Sequence, residues 1–361
     1  MPSSRPTVAV VGAGISGALA ARELSATGLS VTIFDGLKQG EANATDLSGG
    51  LVRAFDIDPC GREQAAAVVY GSATVRSREA AFVQVGALTA GVERGDAATF
   101  TSELAPRFGF EAQMLTSREV KAALGVNLPP GAVSVYEPGA GYMSPARLAS
   151  KSIADAKRDG ATLRRRSRVR AVDADLKGVT VFVEGDEARH RFDFVVLALG
   201  AWHSMPPDGL EEAASSEVMA IQVVYVERPH GVRHPTIFDY DTGVYAAPIG
   251  SNVSLIGLST GRSYRRVDDP GVSRIDDVHV ARTLQAAAGI LPWTSAARIE
   301  KVVRGFDGVA KQGAANLVDV GESGRLKMIR PWNGAGAKHA SAAASSIREQ
   351  VIQTIAEWST S

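Results

Sequence analysis

The first part of the chain carries a regular pattern of apolar segments. Residues 7–11 (TVAVV) are a short β-branched run, which is typical of a buried parallel strand. Residues 18–28 then carry apolar side chains at helical spacing and end on Gly28. Residues 29–34 (LSVTIF) are a second buried run, and Asp35 follows at its end. This pattern predicts one βαβ unit, the building block of a parallel sheet.

The rest of the chain predicts further strands and two long helices. Ser144 followed by Pro145 is typical of a helix start, and we expect this helix to continue to Gly160. A final helix is expected from about residue 337 to residue 358. The remaining apolar runs predict strands at residues 81–90 and 192–199 and, as parts of an antiparallel sheet, at residues 218–226 and 243–258.

Composition and charge limit the classes of function. The 361 residues include 39 basic and 39 acidic side chains, and this balance argues against nucleic acid or an anionic membrane as a partner. Cys60 is the only cysteine, so we expect no internal disulfide, no cysteine-built cluster and no metal site. No stretch reaches the ~18 apolar residues of a membrane span, and no secretory leader is recognisable. We therefore expect a soluble protein of the cytoplasm.

A glycine motif lies between the first predicted strand and the first predicted helix. It reads Gly12-x-Gly14-x-x-Gly17. In this context the first glycine allows a tight turn, the second lets the backbone approach a pyrophosphate, and the third lets helix and strand pack closely. Asp35 lies 18 residues after Gly17, where a carboxylate is suited to bind ribose hydroxyls. The motif predicts a dinucleotide site, but it does not separate NAD from FAD.

Three later segments favour FAD. They are Ser48-Gly49-Gly50, residues 197–202 (LALGAW) and residues 333–338 (NGAGAK). Together with residues 12–17 (GAGISG) and 139–148 (GAGYMSPARL), they make the chain similar to the D-amino-acid oxidase superfamily of flavoproteins, the group of glycine oxidase and monomeric sarcosine oxidase. The resemblance covers nearly the whole chain.

The resemblance implies an α/β fold with two domains. One is a Rossmann-type FAD-binding domain, discontinuous in sequence, and the other is a substrate domain built on an antiparallel sheet. We expect the FAD-binding domain to comprise residues 1–80, 145–215 and 296–361, and the substrate domain to comprise residues 81–144 and 216–295.

The resemblance also implies an extended FAD whose isoalloxazine ring lies between the two domains. The sarcosine oxidase branch attaches its flavin through a cysteine, and the corresponding segment here, residues 303–308 (VRGFDG), has none, so we expect a non-covalent FAD. The expected cofactor-binding residues come from the glycine motif, the end of the second strand, the glycine loop, one backbone position near the adenine and the two later glycine segments: Gly12, Gly14, Ile15, Ser16, Gly17, Asp35, Gly36, Thr45, Ser48, Gly49, Gly50, Val169, Gly200, Ala201, Trp202, Asn333, Gly334, Ala335, Gly336, Ala337 and Lys338.

Three residues are candidates for catalysis. Arg53 follows the glycine loop where the sarcosine oxidase branch has an active-site arginine, and a guanidinium there suits a substrate carboxylate. Tyr245 matches a family strand whose tyrosine faces the flavin. Lys338, with the N-terminus of the last helix, would stabilise negative charge at the flavin pyrimidine edge. Arg53 and Tyr245 are also candidate substrate residues, together with Arg304 and Trp332, although the sequence leaves a purely structural role open for each.

The predicted function is oxidation of the C–N bond of an amino acid or related small amine to an imine, by hydride transfer to flavin N5. The alternative is an FAD-dependent dehydrogenase of a hydroxy acid or alcohol that passes its electrons to an acceptor other than oxygen. An NAD-dependent dehydrogenase and a flavin-bound protein without catalytic activity also stay open. Residues 253–257 (VSLIG) lack the lysine with which the sarcosine oxidase branch activates oxygen, so the electron acceptor is oxygen or another molecule.

Overall fold

The computed structural model describes residues 5–37, 43–71, 81–210, 216–259, 261–310 and 317–358. The helices are α1 (Ile15–Ser25), α2 (Ala44–Leu47), α3 (Pro59–Tyr70), α4 (Arg94–Thr99), α5 (Ala105–Arg107), α6 (Ser117–Leu124), α7 (Pro145–Arg158), α8 (Asp277–Ile290) and α9 (Gly336–Trp358). A π-helical segment spans Phe100–Leu104, and 3-10 turns span Gly200–Ser204 and Pro292–Ala296. Within these ranges, no helix has the length and apolar character needed to cross a bilayer.

The strands of the described residues form four sheets. Their bounds are β1 (Thr7–Val11), β2 (Ser30–Asp35), β3 (Leu51–Val52), β4 (Phe82–Gln84), β5 (Ala87–Ala90), β6 (Gln113–Thr116), β7 (Val133–Glu137), β8 (Gly141–Met143), β9 (Thr162–Arg165), β10 (Val169–Asp175), β11 (Gly178–Val183), β12 (Arg189–Phe192), β13 (Phe194–Leu197), β14 (Ser216–Glu227), β15 (Thr236–Asp239), β16 (Val244–Ile249), β17 (Val253–Leu258), β18 (Arg262–Tyr264), β19 (Ile299–Ala310), β20 (Leu317–Asp319) and β21 (Leu326–Ile329).

The predicted βαβ unit lies at the centre of a six-stranded sheet. The strand order is β20-β21-β13-β1-β2-β9, and β20 is its antiparallel strand. Val8 pairs in parallel with Val31 of β2 and with Phe194 of β13, and all three side chains are buried. Helices α1, α7 and α9 cover one face, and the small sheet β10-β11-β12 covers the other. Burial on both faces explains why these strands read as continuous apolar runs.

A nine-stranded, mainly antiparallel sheet forms the second layer. Its order is β18-β14-β17-β16-β15-β5-β7-β6, and β19 pairs with β14 over most of their length. Helix α8 packs on the outer face of this sheet, where Ala287 and Ile290 contact a cluster that includes Val224 and Ile256. The opposite face is turned towards the six-stranded sheet. The combination confirms the α/β fold class expected from the sequence.

Two expectations differ from the structure. The single strand expected over residues 81–90 is wrong: β4 joins the small sheet β3-β8-β4, whereas β5 joins the nine-stranded sheet. The break falls at Gly86, whose φ of +77° turns the chain between the two sheets. The sequence analysis places residues 299–310 in the FAD-binding domain, whereas the structure pairs them, as β19, with β14 of the antiparallel sheet.

Candidate functional site

A cleft of about 520 Å³ lies between the two main sheets. This volume is in the usual range for a small-molecule site. The cleft brings together most of the residues singled out in the sequence: Gly14, Ile15, Ser16, Thr45, Ser48, Gly49, Gly50, Arg53, Gly200, Tyr245, Trp332, Asn333, Gly334, Ala335, Gly336, Ala337 and Lys338.

The glycine motif forms a tight cradle at one end of the cleft. Gly12 has a φ of +104°, and a Cβ there would lie 2.3 Å from the carbonyl oxygen of Ala198. A Cβ on Gly17 would lie 2.0 Å from the carbonyl oxygen of Gly12. Neither position accepts a side chain, so the N-terminus of α1 is brought close to the strand ends. The backbone N–H of Ile15 donates to Thr45 Oγ1 at 2.9 Å. The neighbouring Gly14 lines the cleft and has no side chain, so a ligand can approach the backbone there. This cradle fits a pyrophosphate.

The residues expected at the adenosine end lie together outside the lining of the cleft. Asp35 ends β2 and is buried, and desolvation raises its carboxyl pKa even though Arg165 Nη1 lies 3.9 Å away. Gly36 packs against the backbone just before β10, where Val169 is buried. Because the carboxyl ends of parallel strands meet at one edge, Asp35 lies at the edge where the nucleotide would extend.

The other end of the cleft is built from two glycine segments. Gly50 has a φ of +59°, and a Cβ there would lie 2.1 Å from the carbonyl oxygen of Met143. Asn333 and Gly334 also have positive φ values, of 50° and 86°. The Asn333 side chain accepts a hydrogen bond from the backbone N–H of Ala310 at 2.7 Å, which fixes this turn to the end of β19. The turn directs the N-terminus of α9 into the cleft.

Lys338 lies in the first turn of α9 and is buried. Its Nζ is 3.9 Å from Asp56 Oδ2. Burial, and next the charge of Arg53, lower the pKa of Lys338 to about 8 against the opposing effect of Asp56. The adjacent His339 stacks on Trp332 with ring centroids 5.2 Å apart. The helix N-terminus and the lysine therefore make this part of the cleft electropositive.

Arg53 is buried, with 7% of its surface exposed, yet it lines the cleft. Its guanidinium lies over the rings of Phe238 and Tyr240, 4.9 and 5.7 Å from their centroids. It donates to the carbonyl oxygen of Phe55 and, at 3.3 Å, to the hydroxyl of Tyr240. A guanidinium has five N–H donors, so this arrangement leaves donors for a ligand.

Glu137, which the sequence analysis did not single out, positions the segment that carries Arg53. This fully buried carboxylate accepts the backbone N–H groups of Ala54 at 2.9 Å and Phe55 at 3.0 Å, together with the hydroxyl of Tyr70 at 2.9 Å. A buried carboxylate with three donors is well satisfied and rigid. Its position in the sequence, at the end of the short strand β7, carries no local signal of this role.

Tyr245 and an unexpected carboxylate form the sheet wall of the cleft. The Tyr245 ring lies across Gly257, where a Cβ would be 2.1 Å from Tyr245 Cζ. Desolvation, and secondarily the nearby Asp307, hold the pKa of Tyr245 above its usual range. Desolvation also raises the pKa of Asp307 to about 6, although the backbone N–H groups of Gly308 and Gly334 stabilise its charge. At neutral pH Asp307 is therefore mostly ionised.

Three expected residues lie elsewhere. Arg304 lines a second cavity, where its Nε donates to the carbonyl oxygen of Val272 at 2.9 Å. Successive side chains of a strand alternate between faces, so Asp307 points into the cleft and Arg304 points away from it. Ala201 and Trp202 belong to a hydrophobic cluster with Phe306, and the Trp202 and Phe306 centroids are 5.2 Å apart. Neither lines the cleft.

Comparison with known proteins decides the family. A family model described as FAD dependent oxidoreductase (DAO) matches residues 7–350. The chain belongs to the DAO family of FAD-dependent oxidoreductases. This enzyme family depends on FAD, and the glycine cradle, the buried Asp35 and the helix N-terminus at the other end of the cleft fit that cofactor. No curated protein matches the sequence of this DAO-family chain.

Solved structures share the fold of this DAO-family chain. Glycine oxidase from Geobacillus kaustophilus has a TM-score of 0.79 and 22% identity, covering 96% of this chain and 95% of that one. L-proline dehydrogenase from P. horikoshii has a TM-score of 0.80 and 17% identity, covering 97% and 94%. Iminodiacetate oxidase from Chelativorans sp. BNC1 has a TM-score of 0.75 and 20% identity, covering 96% and 95%. At these identities the likeness is one of fold.

Proposed function

We propose that this enzyme oxidises the C–N bond of an amino acid or a related small amine to an imine. FAD, when bound, supplies the hydride acceptor at N5. The protein supplies the binding and orientation of the substrate and the exclusion of water. The names of the structural neighbours, an oxidase of glycine, a dehydrogenase of L-proline and an oxidase of iminodiacetate, support an amine substrate.

The observation that carries the proposal is the buried guanidinium of Arg53 at the cleft. A buried cation needs a counter-charge, and a substrate carboxylate would supply one with two parallel hydrogen bonds. The rings of Phe238 and Tyr240 hold the guanidinium in place, and Glu137 fixes the backbone beside it. Arg53 is therefore preorganised, so little entropy is lost when the carboxylate binds.

Asp307 favours an amine over a hydroxy acid. A hydroxy acid carries one negative charge, which Arg53 would balance, and its hydroxyl could donate a hydrogen bond to Asp307, but it has no positive charge to pair with that carboxylate. An amino acid carries both charges, and the cleft has a group of each sign along its lining. We infer that Asp307 attracts the substrate ammonium group and that Arg53 binds its carboxylate. The ammonium group must lose one proton before the hydride leaves, so that the nitrogen lone pair can form the imine bond. The C–H next to nitrogen would then be oriented by two charged contacts.

We also propose that FAD is held without a covalent bond. Asp307 and its neighbours on β19 form the segment where the sarcosine oxidase branch has its cysteine, and residues 303–308 contain no cysteine. Lys338 and the N-terminus of α9 would stabilise negative charge on the flavin.

The strand β17 corresponds to the one on which the sarcosine oxidase branch has its oxygen-activating lysine. In this chain β17 has no lysine, and its Leu255 packs against Gly49. The electron acceptor is accordingly oxygen or another small molecule or protein.

Anaerobic flavin reduction with matched substrates tests the proposal. Purified holoenzyme would be mixed without oxygen with pairs that differ only in amine or hydroxyl, such as alanine and lactate or glycine and glycolate. The panel would also include D- and L-amino acids, N-methyl amino acids and cyclic amines. We expect an amine to bleach the visible flavin band and its hydroxyl counterpart to leave the band unchanged. Bleaching by hydroxy acids alone would contradict the proposal and favour the hydroxy-acid dehydrogenase. Peroxide formed on re-aeration would identify an oxidase.

A further inference from the structure

A second cavity, of about 320 Å³, lies on the outer face of the nine-stranded sheet. The outward side chains of β14, β18 and β19 form one wall, and the first half of α8 forms the other. It is separate from the cleft, because strands β14 and β19 stand between the two. Its polar lining is Gln222, Arg262, Asp276, His279, Arg282 and Arg304.

The charges around this cavity do not balance. Three guanidinium groups line it, and Asp276 is the one carboxylate among the described residues of its wall. Asp276 is already engaged, because its side chain caps α8 by accepting the backbone N–H of His279 at 3.1 Å and lies 3.5 Å from Arg262 Nη2. The cavity therefore carries an excess of two positive charges in a chain whose formal charge is zero.

Two polar groups at this cavity, the Arg282 guanidinium and the His279 ring, lack a partner among the described residues. Within the part of the chain that the structure describes, no carboxylate pairs with Arg282, and the buried Nε2 of His279 has no hydrogen-bond partner. Buried polar atoms without partners are uncommon in folded proteins and call for an explanation. A bound anion would accept from both groups.

The framework behind these donors is rigid. Gln222 and the backbone of Asp276 exchange two hydrogen bonds of 2.8 Å, which join β14 to the start of α8. Arg304 is held by its Nε bond to Val272 and donates from Nη1 to Gln222 Oε1 at 3.4 Å. These bonds fix Arg304 and the start of α8, so this donor needs little reorganisation on binding, whereas Arg262 and Arg282 are exposed and can turn towards a ligand.

We propose that this cavity binds a small dianion through Arg262, Arg282 and Arg304, with His279 Nε2 as a further donor. Two negative charges match the local excess, and planar guanidinium groups suit the oxygen pairs of phosphate and carboxylate groups. The ligand class is a phosphate group or a small dicarboxylate. The volume leaves room for a small molecule that carries this group.

Calorimetric titration of the FAD-loaded enzyme tests the proposal. The titrants are inorganic phosphate, malonate and chloride at one ionic strength. Comparison with chloride distinguishes dianion binding from a general salt effect, and comparison of phosphate with malonate distinguishes a phosphate site from a dicarboxylate site. We expect saturable binding of phosphate or malonate and none of chloride. Absence of binding up to about 10 mM, tenfold above a Kd of ~1 mM, would overturn the proposal.

A pair of variants locates the site. Arg282→Met removes an exposed arginine from the cavity wall, and Arg118→Met removes an exposed arginine from α6, away from the cavity. We expect Arg282→Met to weaken binding at least tenfold, about 1.4 kcal/mol, and Arg118→Met to leave it unchanged. Equal effects of the two variants would refute the site. Loss of binding in Arg53→Met alone would place the anion in the cleft and would also refute it.

A direct readout does not depend on these substitutions. The ring resonances of His279 can be assigned by comparison with a His279→Gln variant. They should shift as phosphate or malonate is added and should stay fixed with chloride. Unchanged resonances under saturating dianion would contradict contact with this ring.

Discussion

Replacing Arg53 by methionine is the most informative change in the cleft. Methionine keeps an unbranched apolar side chain against the rings of Phe238 and Tyr240, but it removes the charge and all five donors. If Arg53 binds the substrate carboxylate, the variant loses a charge-assisted hydrogen-bond pair. Such contacts contribute about 1.5–3 kcal/mol. At 1.4 kcal/mol per decade, the Kd of a carboxylate-bearing substrate should rise roughly 10- to 150-fold.

The same substitution also affects folding. Arg53 donates to the carbonyl oxygen of Phe55, and its loss leaves a buried acceptor unsatisfied. That costs about 1–3 kcal/mol of unfolding free energy. Arg62→Met is a matched control, because Arg62 is equally buried, lies 5.1 Å from the ring centroid of Phe55 and does not line the cleft. Both variants should lose stability, and Arg53→Met alone should lose substrate affinity.

The assay is an anaerobic titration of flavin absorbance with an amino acid and with its amide. The amide keeps the amine and the carbon skeleton but has no carboxylate. Affinity for the amino acid should fall in Arg53→Met, and affinity for the amide should change little. If both ligands weaken by the same factor, or if neither weakens, Arg53 does not bind the carboxylate and the reasoning from its geometry fails.

Three further substitutions test other parts of the cleft. Asp307→Asn should raise the KM for amines at neutral pH. In the wild-type enzyme the Asp307 carboxyl takes up a proton as pH falls through about 6, so affinity for the amine should fall there, and the variant should not show this fall. Because the pKa of Asp307 is raised from 3.8 to about 6 on folding, the stability cost of its charge develops as pH rises from 3.8 to about 6 and is complete above that, so Asp307→Asn should raise Tm more at pH 8 than at pH 4. Gly257→Ala should displace the Tyr245 ring and lower kcat/KM, whereas Gly289→Ala, which faces open space, should not. Gly12→Ala should yield protein without bound FAD or fail to fold, and a yellow, stable variant would contradict the cradle described above.

The nucleotide-binding half was predictable because its constraints are local. Gly12 and Gly17 are required by contacts within a few residues of themselves or with the adjacent strand, and this spacing is visible in the sequence. The apolar runs around them are long and unbroken, since both faces of that sheet are buried. The motif therefore located the cradle residue by residue.

The substrate half depends on which way each strand faces. Residues 299–310 (IEKVVRGFDGVA) have no clean alternation of polar and apolar positions. Arg304 and Asp307 both lie in this strand, and only the pairing with β14 decides that Asp307 faces the cleft. Glu137 was also not predictable from the sequence, because its three donors lie 67 to 83 positions away along the chain. Such partners are set by tertiary structure alone.

The Asn333 side chain has a mechanical consequence. Its amide accepts from the Ala310 N–H and donates to the Ala310 carbonyl oxygen at 3.4 Å, so one residue fastens the turn before α9 to the last residue of β19. That turn follows β21 of one sheet, and β19 belongs to the other. Any movement that separates the two sheets must either break these two hydrogen bonds or rotate about them. Ligand passage would then widen the cleft at the rim away from residue 333.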